Sequence, residues 1–471
     1  LEIASYLHQS GLVNFAEPNY GFFVDACTND LFYNRQWNIK NDGTPLQGNG
    51  SVDADMDVDS AWTISTGSPL IKIAILDSGI DTLHPDLIDN LLPGFDATGG
   101  GSNGYPHARF DSDGHGTACA GIAAAMGNNN IGIAGVAYDC KIVPIKIFYY
   151  VDSVIPSQIF PYSEALWMAS GISWAWQNAG VDVMSNSWGL PDLYLQILPG
   201  NPALVDSAIR QAYHYGRGGK GVPQFFSSGN EGSIPLWPSR LNETFAVNAT
   251  NMCDTRKDSM VCDNENWAGN WRNFLDVGAP GVKITTTDMT GAKGYTSSDY
   301  TFTFNGTSAA CPNAAAVAAL ILSIRDDIYV EDVRFILGNS ADKVGGYDYS
   351  TVKLAGNWSQ ELGYGRVNAY QALQMAQTYS GNLGIFSLQS SINNQVMLYP
   401  NPAVNELRIK SIEFGIEKVE LFDVAGKLNV VKARNHGDEI TLDITHFSQG
   451  IYFCHIHLSN GQVAVKKVVK E

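Results

Sequence analysis

The chain is short of positive charge. Its 471 residues hold 29 Lys and Arg against 47 Asp and Glu, a formal net charge of -18. That balance repels phosphate backbones, so no nucleic acid partner is expected, and it favours solubility and cation binding. Cysteine is scarce as well. Seven residues without a dense framework do not staple a fold of this length, and the odd number leaves at least one thiol without an intrachain partner. Cys253 and Cys262 are close enough in sequence to close a short loop. Long apolar runs are missing. The longest, 314–324, is interrupted only by Ser323 and is too short to span a bilayer. It reads as a buried helix, and no transmembrane anchor is expected. No basic segment followed by an apolar one opens the chain, so any signal peptide is expected to have been removed or to lie upstream.

Hydrophobic residues, by contrast, make up 45% of the chain and Gly supplies 47 positions, the balance of a packed protein with many tight loops. The length exceeds one average domain, so a large core and at least one smaller unit are expected. Acid is unevenly spread. From residue 395 onward there are 9 basic and 9 acidic residues, leaving 20 against 38 in the first 394. That shift supports a boundary there. No internal repeat is visible.

After a polar, Gly- and Asp-rich stretch at 41–59, residues 70–76 are short, β-branched and almost wholly apolar, the pattern of a strand buried on both faces. Further strands are expected at 141–148, 181–185, 224–227 and 244–249, with helices at 116–126, 164–178 and 203–215. Alternation of this kind implies a doubly wound α/β fold, a parallel sheet covered on both sides. Its ligand site should lie beyond the carboxyl ends of the strands. Asp77 falls at such an end, and so does Asn230. Helices at 314–326 and 368–379 close the large unit, and 381–394 reads as a polar linker. Beyond it come short strands at 406–410, 418–423, 440–444, 451–458 and 462–469, with turn signals at Asn460-Gly461 and Ala425-Gly426-Lys427. A small antiparallel β-sandwich is the natural reading.

Four segments carry chemistry: Asp77-Ser-Gly-Ile-Asp, Asp113-Gly-His-Gly-Thr-Ala, Ser227-Ser-Gly-Asn-Glu-Gly and Asn305-Gly-Thr-Ser-Ala. Each alone has an ordinary structural reading: a loop cap, a turn, or a helix N-cap at Ser308. Together they supply what acyl transfer requires. Ser308 offers a nucleophilic hydroxyl, His115 a base, Asp77 a carboxylate to orient that base, and Asn230 a donor for the oxyanion. The order Asp, His, Ser excludes both the α/β-hydrolase and the chymotrypsin arrangements.

On these motifs the chain resembles the subtilisin family of serine proteases from about residue 62 to 377. The resemblance implies a parallel α/β fold and a secreted serine endopeptidase acting on polypeptides, with Asp77, His115 and Ser308 as its triad and Asn230 as the oxyanion asparagine. The run after Ser308 departs from the family. Ala309 stands where relatives have Met and Asn313 where they have His, which puts the packing behind Ser308 in question. Cys311 reads as a buried small hydrophobe and not as a second nucleophile. Ser185-Asn-Ser-Trp-Gly189 is similar to the family's substrate-binding strand, so Ser187, Trp188 and Gly189, with Ser227, Ser228 and Gly229, are expected to wall the primary specificity pocket. Small walls of this kind leave room for a large side chain.

The loop 127–133 resembles the family's calcium loop. The resemblance implies a structural calcium ion held by Asp86, Asn129 and the carbonyls of Gly127, Ile131 and Ile133. The more conspicuous run Asp53-x-Asp55-x-Asp57-x-Asp59 is not an EF-hand, since Val58 and Ile64 stand where Gly and Glu are needed. It reads as a solvated acidic approach to a helix capped by Asp59. Residues 1–24 resemble the last strand of the family's inhibitory propeptide, leaving 25–380 as the catalytic unit and the chain's own propeptide as a partner. The tail, 395–471, with Tyr399-Pro-Asn-Pro, Gln449-Gly-Ile-Tyr and a basic finish at 466–470, is similar to the sorting domain of type IX secretion cargo of Bacteroidetes. That implies a bacterial protein, passage through that machinery across the outer membrane, and a secreted or cell-surface location. Two rival readings stand beside digestion: a surface binding protein with a dead protease fold, and a protease that processes other exported proteins.

Overall fold

The computed structural model describes residues 28–44, 50–152, 159–195, 201–381, 396–411, 415–423, 427–429, 432–435, 439–459 and 463–471. The expected propeptide strand at 1–24 lies outside these residues. So do the turns at 460–461 and 425–426, and all of the expected linker except residue 381.

The large unit is built on a parallel seven-stranded sheet: β1 (Lys72–Asp77), β2 (Phe95–Asp96), β3 (Lys141–Lys146), and, past the hairpin β4 (Tyr149–Asp152) and β5 (Ile159–Tyr162), β6 (Val183–Asn186), β7 (Gln224–Ser227), β8 (Phe245–Thr250) and β9 (Val277–Pro280). The order is β2-β3-β1-β6-β7-β8-β9. β1 pairs with β3 on one side and β6 on the other, all parallel, so the winding reverses at β1. A crevice opens at the carboxyl end of such a reversal. From Ile73 to Leu76 every residue of β1 is buried, as its unbroken apolar sequence requires, and Asp77 at its end is buried with them.

Helices α1 (His115–Ala124), α2 (Ala165–Trp174), α3 (Pro202–Gly219), α4 (Thr307–Ile324), α5 (Val330–Ser340) and α6 (Ala369–Thr378) cover the sheet. In α3 the regular turns end before Gly216, because Gly216, Arg217 and Gly218 leave helical geometry, so the expected end at 215 is met. Asn201 caps its start by accepting from Ala203 N at 3.0 Å, with Pro202 in the first turn. Helix α4 begins at Thr307, seven positions before the expected 314. Pro312 inside it removes one amide donor and so hid the first turns in the sequence. With 18 residues and a mean hydropathy of 1.6, α4 is long and apolar enough to cross a membrane, yet 83% of it is buried within the protein. Antiparallel strands β10 (Ile284–Thr287) and β11 (Tyr300–Phe304) lead into it. Helix α5 and strand β9 were not expected.

Two further expectations are corrected. Asp59 does not cap the short helix Val58–Ala61. The cap position is Asp57, in a left-handed conformation at φ 52°, and Asp59 sits in the first turn. The acidic run is solvated only in part: Asp53 is exposed and Asp57 half-buried, but Asp55 and Asp59 are buried. Asp55 accepts from Asn41 N and Asp57 N, and burial pushes its carboxyl up to about 7. Asp59 is paired with Lys40 at 2.9 Å. The disulfide Cys253–Cys262 forms, with a Cα separation of 6.0 Å.

The tail folds as two four-stranded antiparallel sheets. One contains Val396–Tyr399, Glu406–Ser411, Lys432–Asn435 and Glu439–Asp443; the other Ile416–Asp423, Leu428–Asn429, Gly450–Leu458 and Val463–Lys470. Glu406–Ser411 alternates exposed and buried residues, the period of a strand with one face on a core. Leu407, Ile409, Leu421, Leu442, Cys454 and Ile456 form that core. Strands 396–399, 428–429 and 432–435 were not foreseen.

Candidate active site

Asp77 ends β1 and His115 opens α1. Two small groups let these elements approach: Gly116, where a Cβ would stand 2.3 Å from Gly79 O and 3.0 Å from Asp77 Cβ, and Ser78. The Ser78 hydroxyl accepts from Gly116 N at 3.2 Å and donates to Asp113 O at 3.0 Å, tying the strand end to the helix start. Thr286 and Thr287 of β10 donate to the carbonyls of Ala118 and Thr117, which fixes the helix from the far side. The result is a 2.8 Å hydrogen bond between His115 Nδ1 and Asp77 Oδ1, an oxygen that also accepts from Ser78 N at 2.7 Å. Asp77 is fully buried and the His115 side chain is 13% exposed. Phe304 packs edge-on against the imidazole at 5.5 Å.

Ser308 is the second residue of α4. Pro312 has no N–H to offer the Ser308 carbonyl four residues back. That carbonyl accepts instead from Ser187 Oγ at 2.8 Å and Cys119 Sγ at 3.5 Å, which ties α4 to the segment after β6 and to α1. The Ser308 hydroxyl itself rests on Ser187 O at 3.3 Å. Asn230 is held from one side only. Its Oδ1 accepts from Thr307 N at 2.9 Å and Thr307 Oγ1 at 3.1 Å, which fixes the amide and leaves Nδ2 for the cleft. A Cβ built on Gly306 would lie 3.4 Å from Asn230 Nδ2 and 3.5 Å from Ser308 N, so the two donors lie near one point beside the cleft. Gly306, at φ 115°, makes that turn possible.

Behind Ser308 the packing is closed. Asn313 is buried, donates to Pro280 O and Ala309 O, and accepts from Asn38. Cys311 is buried against Ser185, and burial pushes its thiol up to about 12. Cys119 is also held well above the usual thiol range, by burial and then by the charge of Asp77. Neither thiol is a nucleophile at neutral pH.

His115, Ser308, Asn230, Ser187, Trp188, Gly189, Ser227 and Gly229 line one cleft of about 520 Å³. Ser228, expected among its walls, does not line it. Alternation along the chain turns its side chain inward, where Oγ donates to Asn270 O at 3.0 Å. Sequence reasoning missed the rest of the lining. Phe148, Tyr150, Pro161, Tyr162 and Met168, largely from the hairpin β4–β5, add apolar surface to the cleft, and Glu231 and Leu236 line it as well. No motif marks any of these except Glu231, which follows Asn230 directly.

The loop 127–133 folds over Asp86, which is fully buried. Asp86 Oδ1 accepts from Asn129 Nδ2 at 2.7 Å and Oδ2 from Ile133 N at 2.9 Å. Burial pushes its carboxyl up to about 6 against these bonds, and the charge of Asp30 adds to the shift. Asp30, not foreseen in the sequence, accepts from Asn128 N and Asn129 N. Two buried carboxylates meeting at one loop are hard oxygen ligands of the kind such a cation takes, but the Asn129 Oδ1 accepts from Ile131 N at 2.9 Å. As it stands, Asn129 turns Nδ2 and not Oδ1 toward Asp86, and Ile133 presents its N–H there.

The subtilase family profile matches residues 69–365, and that of a secretion system C-terminal sorting domain matches 397–471. The chain belongs to the subtilase family of serine proteases. A calcium-dependent protease of Trichormus variabilis is 34% identical over 369 residues, covering 72% of this chain and 51% of the relative. Neuroendocrine convertase 2 of Rattus norvegicus is 29% identical, covering 76% of this chain and 54% of its own length. The chain thus spans about half the length of the curated relatives it matches. The solved serine protease of Aeromonas sobria shares the fold, with a TM-score of 0.61 at 16% identity and 96% of each chain covered. The sorting domain marks a chain exported to the cell surface or released from it.

Proposed function

We propose that the chain is a secreted endopeptidase that hydrolyses internal peptide bonds through an acyl-enzyme on Ser308. The Ser308 hydroxyl turns from Ser187 O toward His115 Nε2, passes its proton to that nitrogen and attacks the scissile carbonyl. Asp77 holds the imidazole in one tautomer and stabilises the imidazolium. The oxyanion is met by Asn230 Nδ2 and Ser308 N, and the start of α4 adds the positive end of its dipole. His115 then returns the proton to the leaving amine, and water, deprotonated by the same nitrogen, releases the acyl group. The substrate lies extended along 187–189 and 227–229. The observation that carries this reading is the convergence of the Asp77–His115 pair, Ser308 and the oriented amide of Asn230 in one cleft.

Around that centre, residues 25–380 form the catalytic unit, 381–394 a linker and 395–471 the sorting module read by type IX secretion machinery, with 1–24 the end of an inhibitory propeptide. Asp86, Asp30, Asn129 and the carbonyls of Gly127, Ile131 and Ile133 would hold calcium, which would neutralise two carboxylates and lock the loop. The relatives named calcium-dependent favour this metal. A fluorophosphonate tests the assignment. Peptide mapping should place the adduct on Ser308, and Ser308→Ala should lose both label and proteolysis. An adduct elsewhere, or undiminished proteolysis by Ser308→Ala, overturns the reading.

A further inference from the structure

We propose that Leu236 fills the primary specificity slot, so that the enzyme cleaves after residues with small side chains and rejects large ones. The inference rests on the cleft being the protease active site. In that reading, the side chain preceding the scissile bond enters between two backbone walls, 187–189 and 227–229, which flank Ser308 and Asn230. Walls made of Ser and Gly suggest a deep slot. The floor decides otherwise.

The segment carrying Leu236 is stitched to both walls. Leu236 N donates to Ser228 O at 2.8 Å, and Leu190 and Trp237 exchange backbone hydrogen bonds at 2.8 and 3.2 Å. This holds the isobutyl group in the gap. A Cβ on Gly189 would come within 2.9 Å of Leu236 Cβ and 3.4 Å of its Cδ1, and one on Gly229 within 2.7 Å of its Cγ. The leucine therefore touches the α-carbon level of both glycines, in the space a substrate side chain would need. Leu236 is half-buried and lines the cleft, so its open side faces the slot. The charge beside it is engaged: Glu231 Oε2 accepts from Asn230 N at 3.0 Å and Asn270 Nδ2 at 2.8 Å. A lysine or arginine stem would meet Leu236 before its head reached the Glu231 carboxylate. Glycine walls with a leucine packed between them favour a small side chain at this position.

Peptide 4-nitroanilides that differ only in the residue before the scissile bond, Ala, Leu, Phe or Lys, test this. The wild type should cleave after Ala with kcat/KM at least about tenfold above Phe or Lys. Leu236→Ala and Leu236→Gly should raise the Phe-to-Ala ratio stepwise, by about tenfold and about a hundredfold. The half-buried position makes the alanine variant a fallback should the glycine variant not fold. A wild type that prefers Phe or Lys, or a ratio unmoved in folded Leu236→Ala, overturns the inference. Fluorophosphonate labelling of the same wild-type sample separates the two levels. Labelled Ser308 with a flat profile overturns the role of Leu236 alone, and absence of label overturns the reading of the site beneath it.

Discussion

Asn230 shows how much a single side chain's environment decides. An asparagine free to flip would present oxygen or nitrogen to the cleft with equal ease. Thr307 removes that freedom, because its N–H and hydroxyl both require an acceptor and only Oδ1 supplies one. Asn230→Ala should therefore lower kcat with KM little changed, since the donor is engaged only once charge reaches the oxyanion. In subtilisin, removal of the corresponding donor costs roughly 10²–10³-fold in kcat, and that magnitude is carried across from that enzyme. Asn230→Asp keeps the acceptor for Thr307 but turns a second oxygen toward the oxyanion, so it should fall at least as far. Steady-state kinetics on a peptide nitroanilide would check both, and an unchanged kcat in Asn230→Ala would remove this residue from the oxyanion site.

At the scale of the element, what could be read in the sequence was whatever one short segment encodes. Asp77-Ser-Gly and Gly-His-Gly-Thr each hold a functional side chain together with the small residues that let strand and helix approach, so motif and geometry are the same few residues. Leu236 was invisible because an apolar residue in a loop has no local signature, and its position depends on backbone pairing with Ser228 and Leu190. The first turns of α4 were lost to Pro312, whose missing donor is compensated only by the distant Ser187 and Cys119. Asp30 was missed for the same reason, lying about a hundred residues before the loop it joins. That loop yields a prediction of its own. Two buried carboxylates close to each other are unfavourable unless a cation or a proton intervenes. Chelation by EGTA should lower the melting temperature by several degrees, and calcium in excess should restore it, since saturation to about 1,000 times Kd is worth about 4 kcal/mol. Asp86→Asn should melt at a temperature indifferent to both. A calorimetric scan unmoved by chelator in the wild type would exclude calcium from this loop.

Over the whole molecule, charge and packing divide the chain in the same place. The acidic excess lies entirely in the first 394 residues, and the buried cluster of the tail draws only on residues between Val396 and Val468. A unit with its own core can fold alone, but one of about 77 residues buries a smaller fraction of its surface than a catalytic unit several times larger. Strand Ile416–Asp423, which crosses the centre of its sheet, has Leu421 as its one fully buried residue, a thin contribution for an inner strand. The sandwich should therefore unfold first and independently. Differential scanning calorimetry of the full chain should show a small transition below the main one. Deleting 395–471 should abolish the first, leave the second within about 2 °C, and leave kcat/KM on a short peptide within about twofold. A truncated protein that melts markedly lower or loses turnover would mean that the sorting module is part of the catalytic fold, and the division drawn from charge and core would have to be abandoned.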